Sequence, residues 1–335
     1  MKLEEKLLNI FSRWSVIKLG TMINYNIRPS KSIERKMICE TFRKIRRFGF
    51  PQSYRYIGFG AKYFTDFILF HKELGINDMI SIEKNTDNRS RYEYNKPFGC
   101  IRLEFGKSTD VLPRLDWPID KKSIIWLDYD QKFQPFMLDD IKIALPKLVS
   151  GSIFIITCNR VIGNEISDIE NDERLNYIKS LFGTRVPIDT KERDLVPKKS
   201  FSTIKKIIDN NIDEALYEIN SGRDDEGKLN YKQLFYFTYS DGAPMMTLGG
   251  ILFEEADREK YDKCRFFEEF YICDGDTPFE IDIPILTYKE INALNSKLPT
   301  DNIQDIAIPG ISNNEIENYM KLYKYFPYYT EIYSQ

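Results

Sequence analysis

Short apolar runs alternate with helix-like stretches through the first half of the sequence, and this alternation constrains the fold more than any other feature. The runs are rich in Ile, Phe and Trp, and turn-forming or acidic residues follow them. Strands that are apolar on both faces are typical of parallel sheets covered by helices. We therefore predict an α/β fold whose parallel strands cover residues 54–59, 79–82, 100–105, 123–127 and 152–157.

Two later strand-like runs differ from these because only a short turn separates them. Residues 233–239 and 245–253 are joined by Ser240-Asp241-Gly242-Ala243-Pro244. Gly, Pro, Ser and Asp between two apolar runs favour a hairpin. The predicted fold class is therefore a Rossmann-like, seven-stranded sheet that is parallel except for a terminal antiparallel hairpin.

Helical and charged segments surround this predicted sheet. Residues 3–18 and 31–48 carry apolar residues at helical spacing, and the second stretch follows the start signal Pro29-Ser30. We divide the chain into an N-terminal helical segment (1–50), a Rossmann-like domain (51–255) with a charged helical insertion (160–232), and an α+β C-terminal extension (256–335).

Composition limits the kinds of site that the chain can build. The five cysteines are scattered without a CxxC pair and His71 is the single histidine, so neither a disulfide framework nor a zinc site of several histidines is expected. The net charge of -3 is too small to attract nucleic acid or a membrane to the whole surface. No run approaches the roughly 18 apolar residues of a membrane span, and the N-terminus does not resemble a signal peptide. We expect a cytoplasmic protein.

The loop Gly58-Phe59-Gly60 lies between a predicted strand and a predicted helix. Glycines there permit a tight turn and the close approach of a ligand to the backbone, although a plain strand-to-helix turn has the same pattern. Glu83 ends the second predicted strand, where a carboxylate can accept hydrogen bonds from both hydroxyls of a ribose. The alternative for Glu83 is an ordinary surface glutamate.

Two more polar segments follow predicted strands. In the segment 106–110, Ser108 and Thr109 would present hydroxyl and N–H groups to an adenine ring, or would only cap a helix. Asp128, Tyr129 and Asp130 follow the fourth strand, at the usual position of catalytic groups in an open α/β sheet. Asp128 would act as a base or hold a divalent cation, with Tyr129 and Asp130 orienting the substrate.

Together these four segments resemble the class I S-adenosylmethionine (SAM)-dependent methyltransferases, most closely the small O-methyltransferases of the catechol type. The shared motifs are Ile82-Glu83, the Gly106–Pro113 loop and Leu127-Asp128, and the terminal hairpin agrees with the topology of that family. The layout of segments 28–36 and 286–290 also resembles uncharacterised bacterial proteins assigned only as methyltransferases.

The resemblance implies SAM as the cofactor. It places Gly58, Phe59 and Gly60 near the methionine moiety, Glu83 on the ribose, Ser108 and Thr109 near the adenine, and Asp128 at the reacting end of the cofactor. Metal-dependent members of the family carry an Asp-Asn pair after the fifth strand, where this sequence has Cys158-Asn159. The loss of a charged oxygen ligand weakens a site for a hard cation, so we assign no metal ligand and do not expect metal dependence.

The predicted function is the transfer of a methyl group from SAM to the oxygen or nitrogen of an unidentified acceptor. No Asn-Pro-Pro-Tyr-type motif points to a base or amide nitrogen, and no pattern indicates an oligomeric state. A non-catalytic module that binds SAM or a nucleotide and acts through a partner is the alternative. The basic segment Arg28–Arg47 would be either the solvated face of an amphipathic helix or a contact for phosphate or nucleic acid.

Overall fold

A computed structural model describes residues 28–163, 169–170, 173–196 and 199–327 of the protein. The predicted helix over 3–18 lies outside these residues. The strands are β1 (Arg55–Gly58), β2 (Asp78–Glu83), β3 (Ile101–Phe105), β4 (Ser123–Phe133), β5 (Ile153–Ile162), β6 (Leu229–Ser240), β7 (Pro244–Glu254) and β8 (Phe279–Glu280).

The α-helices of the described residues lie before, between and after these strands. They are α1 (Pro29–Lys44), α2 (Thr65–Leu74), α3 (Arg89–Asn95), α4 (Ser108–Val111), α5 (Pro135–Ala144), α6 (Arg174–Phe182), α7 (Ser200–Asn220), α8 (Arg258–Cys264), α9 (Tyr288–Asn295), α10 (Ile303–Ile306) and α11 (Asn313–Leu322). Within the described part of the chain, no helix is long and apolar enough to cross a membrane.

All strands join one sheet in the order β3-β2-β1-β4-β5-β7-β6-β8. Strands β1 to β5 are parallel, whereas β7 runs antiparallel to both β5 and β6. This topology confirms the predicted Rossmann-like sheet with its terminal hairpin. The order reverses between β1 and β4, and such a reversal opens a crevice at the carboxyl ends of the strands, where ligands of α/β proteins bind.

The sheet has eight strands instead of the predicted seven. The additional strand β8, in the predicted α+β C-terminal extension, pairs with β6 through Phe279 and Glu280. The strand begins directly after Pro278, which cannot donate a backbone hydrogen bond to the sheet.

Strand β4 also differs from its prediction, which ended it at Leu127. The strand continues to Phe133, so Asp128, Tyr129 and Asp130 lie inside it. Its pairing with β5 is irregular there. Asp128 and Lys132 are four positions apart in β4, whereas their partners Thr157 and Asn159 are two positions apart in β5. Because this stretch is polar, the apolar pattern of the sequence did not indicate that the strand continues.

Each face of the sheet carries one apolar core. Side chains of β4 alternate between the two, with Trp126 on one face and Leu127 on the other. Helices α1 and α2 and the chain after residue 264 cover the first face. Helices α4 to α7 cover the second. The N-terminal helix and the C-terminal extension therefore share one core with the sheet.

Candidate functional site

A cavity of about 500 Å³ lies at the carboxyl ends of β1, β2, β3 and β4. The predicted site residues Phe59, Gly60, Glu83, Ser108, Thr109, Asp128, Tyr129 and Asp130 all line it. Parallel strands bring segments that are distant in sequence to one edge of the sheet. The cavity is also lined by Arg35, Asp66 and Phe136, which the sequence motifs did not indicate as site residues.

The glycine loop is held tightly against its neighbours. A Cβ on Gly60 would lie 2.5 Å from the Phe64 ring and 2.7 Å from Ser81 Oγ. Ala61 and Phe64 follow with left-handed backbones, at φ values of 48° and 50°. Non-glycine residues adopt this conformation at an energetic cost, which the surrounding structure must offset. The loop is therefore fixed in shape before any ligand binds.

Gly58 has a different role from Gly60, because it lies outside the cavity lining. A Cβ there would lie 2.6 Å from the hydroxyl of Tyr56 and 3.2 Å from the carbonyl oxygen of Trp126. Its lack of a side chain permits the close packing of β1 on β4. The sequence-based placement of Gly58 near the cofactor's methionine moiety stays a prediction.

Glu83 ends β2 and is almost fully buried beside the loop. Ser81 donates a hydrogen bond to its carboxylate at 2.7 Å, and the backbone N–H groups of Gly60 and Ala61 also stabilise the charged form. Burial outweighs these contacts and raises the pKa of Glu83 to about 7. This carboxyl is poised to change protonation when a ligand approaches.

Ser108 and Tyr129 share one buried partner that the sequence did not reveal. Both hydroxyls donate to Asp140 Oδ2 on α5. Burial raises the pKa of Asp140 to about 6 and that of Tyr129 well above its usual value. The Tyr129 hydroxyl is therefore occupied by its hydrogen bond to Asp140. The Tyr129 ring forms an aromatic wall with Phe59 and Phe136.

Asp128 and Asp130 have different surroundings in β4. The side chain of Asp128 is 19% exposed and pairs with the buried ammonium of Lys31, at 2.7 Å. Asp130 is exposed at the cavity wall. Asp128 thus reaches the cavity from a fixed position, whereas Asp130 faces solvent.

Helix α1 contributes two buried cations that change the interpretation of the basic segment. One expectation from the sequence is that the basic residues of Arg28–Arg47 lie on the solvated face of an amphipathic helix. That expectation is wrong for Arg35, which is 5% exposed and lines the cavity. Lys31 is 1% exposed. The spacing Lys31, Arg35, Ile38, Phe42 places both cations in line with the apolar face, and this signal was available in the sequence.

The other basic residues of the segment lie farther from the cavity. Lys36 donates to the carbonyl oxygens of Tyr325 and Phe326, and Lys44 pairs with Glu269. Arg43 pairs with Glu40 and Glu73, and Arg46 and Arg47 are exposed. A contact of this segment with nucleic acid or phosphate stays a prediction.

Asp66, at the start of α2, completes the polar wall. Tyr56 donates a hydrogen bond to its carboxylate, and burial raises the pKa of Asp66, although the nearby Arg35 guanidinium opposes this. The Arg35 Nε has no hydrogen-bond partner within the described part of the chain. Arg35 as a whole lines the cavity, and a guanidinium there can bind a carboxylate.

Asp128 in β4 and Cys158 and Asn159 in β5 do not fit a divalent metal. Cys158 lies within β5 and packs into the apolar core, and Asn159 Oδ1 accepts a hydrogen bond from the backbone of Val161. The Asp128 carboxylate already pairs with Lys31. Among the residues described, no group of three His, Cys, Asp or Glu side chains could hold a metal ion. Mg²⁺ requires a near-octahedral set of oxygen ligands, which this arrangement does not supply.

Residues 23–334 match the family described as "Putative O-methyltransferase". The chain belongs to this family. The membership confirms the predicted methyltransferase resemblance. No curated protein matches the sequence.

Several solved structures resemble this chain at low identity. The O-methyltransferase TomG from Streptomyces achromogenes, crystallised with SAM, is 15% identical over 69% of this chain and 92% of its own, with a TM-score of 0.35. The O-methyltransferase from Bacillus cereus, in complex with SAH, is 14% identical over 74% of this chain and 89% of its own, with a TM-score of 0.36. These similarities are too low to transfer the role of any residue.

Proposed function

We propose that this protein transfers a methyl group from SAM to the oxygen or nitrogen of an acceptor, with oxygen favoured. One observation carries the proposal: the glycine loop, Glu83 and the Ser108-Thr109 turn converge on one cavity at the reversal of strand order. These are the groups that a nucleoside with a charged tail requires, and the family of the chain agrees with methyl transfer.

The cofactor would lie across the ends of β1, β2 and β3. Glu83 would accept hydrogen bonds from the two ribose hydroxyls, and the backbone of Ser108 and Thr109 would contact the adenine. Arg35 would bind the methionine carboxylate, since this buried cation lines the cavity. Asp66 lies beside it and would bind the methionine ammonium.

The acceptor would lie between β4 and α5. Phe59, Tyr129 and Phe136 form the aromatic side of the cavity, and Asp128 and Asp130 form its acidic side. Methyl transfer requires an acceptor atom aligned with the sulfur–methyl bond, so positioning supplies most of the catalysis. Asp128 would act as the base or fix the acceptor by a hydrogen bond.

Calorimetric titration with SAM and with its demethylated product tests the cofactor site. We expect micromolar affinity for both and a loss of at least tenfold in Glu83→Ala, because the ribose loses both of its hydrogen bonds. Glu93→Ala, at an exposed glutamate of α3, is the matched control. Binding weaker than millimolar, or equal binding by both variants, would refute the proposal.

Transfer of labelled methyl groups from SAM to cell extract tests catalysis. We expect labelling that falls at least a hundredfold in Asp128→Asn and stays unchanged in Asp225→Asn, an exposed loop residue. A protein that binds SAM tightly yet labels nothing in any extract would favour the non-catalytic module instead.

A further inference from the structure

A buried ammonium lies directly behind the acidic wall of the cavity. Lys31 Nζ is 2.7 Å from Asp128 Oδ1 and 2.7 Å from Glu34 Oε2. Lys31 and Glu34 are 1% and 0% exposed. Burying a charge is costly unless it is paired, so a lysine held here indicates a specific requirement for a cation at this point.

Contacts from several elements fix the position of Lys31. The Trp126 ring lies 4.5 Å from its ammonium. Asp241, in the turn between β6 and β7, accepts the backbone N–H groups of Ser30 and Lys31 at the start of α1, at 3.2 and 2.8 Å. The hairpin at the far side of the sheet thus holds the helix end that delivers the lysine.

A chain of buried hydrogen bonds fixes its second partner, Glu34. Trp126 Nε1 donates to Thr157 at 2.9 Å, Thr157 and Thr247 lie 2.7 Å apart, and Thr247 donates to Glu34. A threonine hydroxyl has one hydrogen, which Thr247 gives to Glu34, so Thr157 donates to Thr247. The chain crosses β4, β5 and β7 and ends at the carboxylate that holds Lys31.

We propose that Lys31 is a built-in cation that occupies the position at Asp128 where a divalent metal would otherwise bind. A metal entering there would have to displace an ammonium that already pairs with both nearby carboxylates. Lys31 is a positioning residue: it orients the Asp128 carboxylate, whose other oxygen is left for the cavity. The positioning role of Lys31 rests on the proposed function, whereas its occupation of the cation position does not.

The first test uses the wild-type protein. The protein is dialysed against EDTA and freed of the chelator, and it is then titrated with Mn²⁺ while electron paramagnetic resonance measures the bound ion. We expect no bound Mn²⁺ below millimolar concentration. We also expect the affinity for SAM to change less than twofold between EDTA and 5 mM Mg²⁺. Stoichiometric binding of Mn²⁺ that disappears in Asp128→Asn would overturn the proposal.

Removal of the ammonium provides the second test. In Lys31→Ala the carboxylates of Glu34 and Asp128 face the cavity that the lysine leaves. We therefore expect 5 mM Mn²⁺ to raise the melting temperature of this variant on the order of 2 °C. The double variant Lys31→Ala/Glu34→Gln should lose this response, and Lys260→Ala, at a lysine whose side chain is 52% exposed, should behave as wild type. A folded Lys31→Ala that responds no more than Lys260→Ala would refute the built-in cation. If Lys31→Ala does not fold, the Mn²⁺ titration of the wild type decides.

The two proposals fail in different measurements. Absence of SAM binding by the wild type would remove the methyltransferase proposal and leave the Mn²⁺ titrations interpretable. Binding of Mn²⁺ at Asp128 would remove the built-in cation and leave the SAM titrations intact.

Discussion

Glu83 is the residue at which the sheet meets the proposed cofactor site. It lies at the end of a parallel strand, where the neighbouring loop donates backbone N–H groups to it, yet burial keeps its pKa near 7. A ligand that donates hydrogen bonds favours the ionised form of the carboxyl. Cofactor binding and deprotonation of Glu83 should therefore reinforce each other.

This coupling gives a prediction for pH dependence. Because the pKa of free Glu83 is raised, its proton must leave before the ribose binds, so affinity for SAM should rise with pH and level off above about 7. Between pH 6 and pH 8 the ionised fraction grows about tenfold, and the association constant should follow. Calorimetric titration with SAM at pH 6, 7 and 8 measures this change in the association constant. Glu83→Gln should bind weakly at all three values, and an equally steep profile in that variant would contradict the assignment.

Gly60 gives a second prediction at the scale of one residue. In Gly60→Ala the new Cβ would collide with Phe64 and Ser81, and a tight site cannot absorb such an overlap without moving the loop. We expect a loss of stability of about 1–3 kcal/mol in urea unfolding and at least a tenfold loss of SAM affinity. Gly99→Ala is the control, because a Cβ on Gly99 would have no neighbouring atom within 4 Å. Equal behaviour of the two variants would show that the loop is adaptable.

At the scale of elements, the start of α1 depends on a residue far away in the chain. Arg28 at the N-cap position makes no side-chain cap, and the first turn of the helix contains no acidic residue. Asp241 supplies the missing acceptor and a negative charge at the positive end of the helix dipole. The hairpin turn and the helix are therefore one structural unit.

Asp241→Ala should lower the free energy of unfolding by about 1 kcal/mol, since the helix loses its cap. Hydrogen exchange should accelerate in the first turn of α1 more than in α2. Asp224→Ala provides the control, because that aspartate caps only its own exposed turn through Gly227. Unchanged exchange at Ser30 and Lys31 would contradict the capping role.

At the scale of the whole molecule, the C-terminal extension and α1 form one apolar core with the sheet. Ile316 of α11 is fully buried in the same cluster as Trp126 and Phe237. Elements that share a core unfold together, so the protein should show one cooperative transition in spite of its length.

Ile316→Ala tests this unity. The cavity left in the core should cost about 2–5 kcal/mol and lower the temperature of a single calorimetric transition. Tyr288→Ala, at a residue 72% exposed, should have little effect. Two separate transitions, with only the lower one shifted by Ile316→Ala, would show that the extension folds independently.

The sequence by itself determined the features whose signals are local. Strand period, turn chemistry and apolar runs predicted the parallel strands and the terminal hairpin. The predicted strand ends placed Gly60, Glu83, Ser108 and Asp128 at one edge of the sheet, and all four line the cavity there. Each of these patterns spans only a few residues, so it can be recognised without knowledge of the packing.

Only the tertiary structure decided which distant groups meet at those residues. Lys31 pairs with Asp128 across 97 positions, and Asp140 binds Ser108 and Tyr129 from another helix. The helical spacing of Lys31 places it in line with the apolar face of α1, but the sequence does not show that Asp128 is the carboxylate it meets there. Its burial depends on sheet order and on the packing of α1, because the free energy of a paired charge is set by its partner's position.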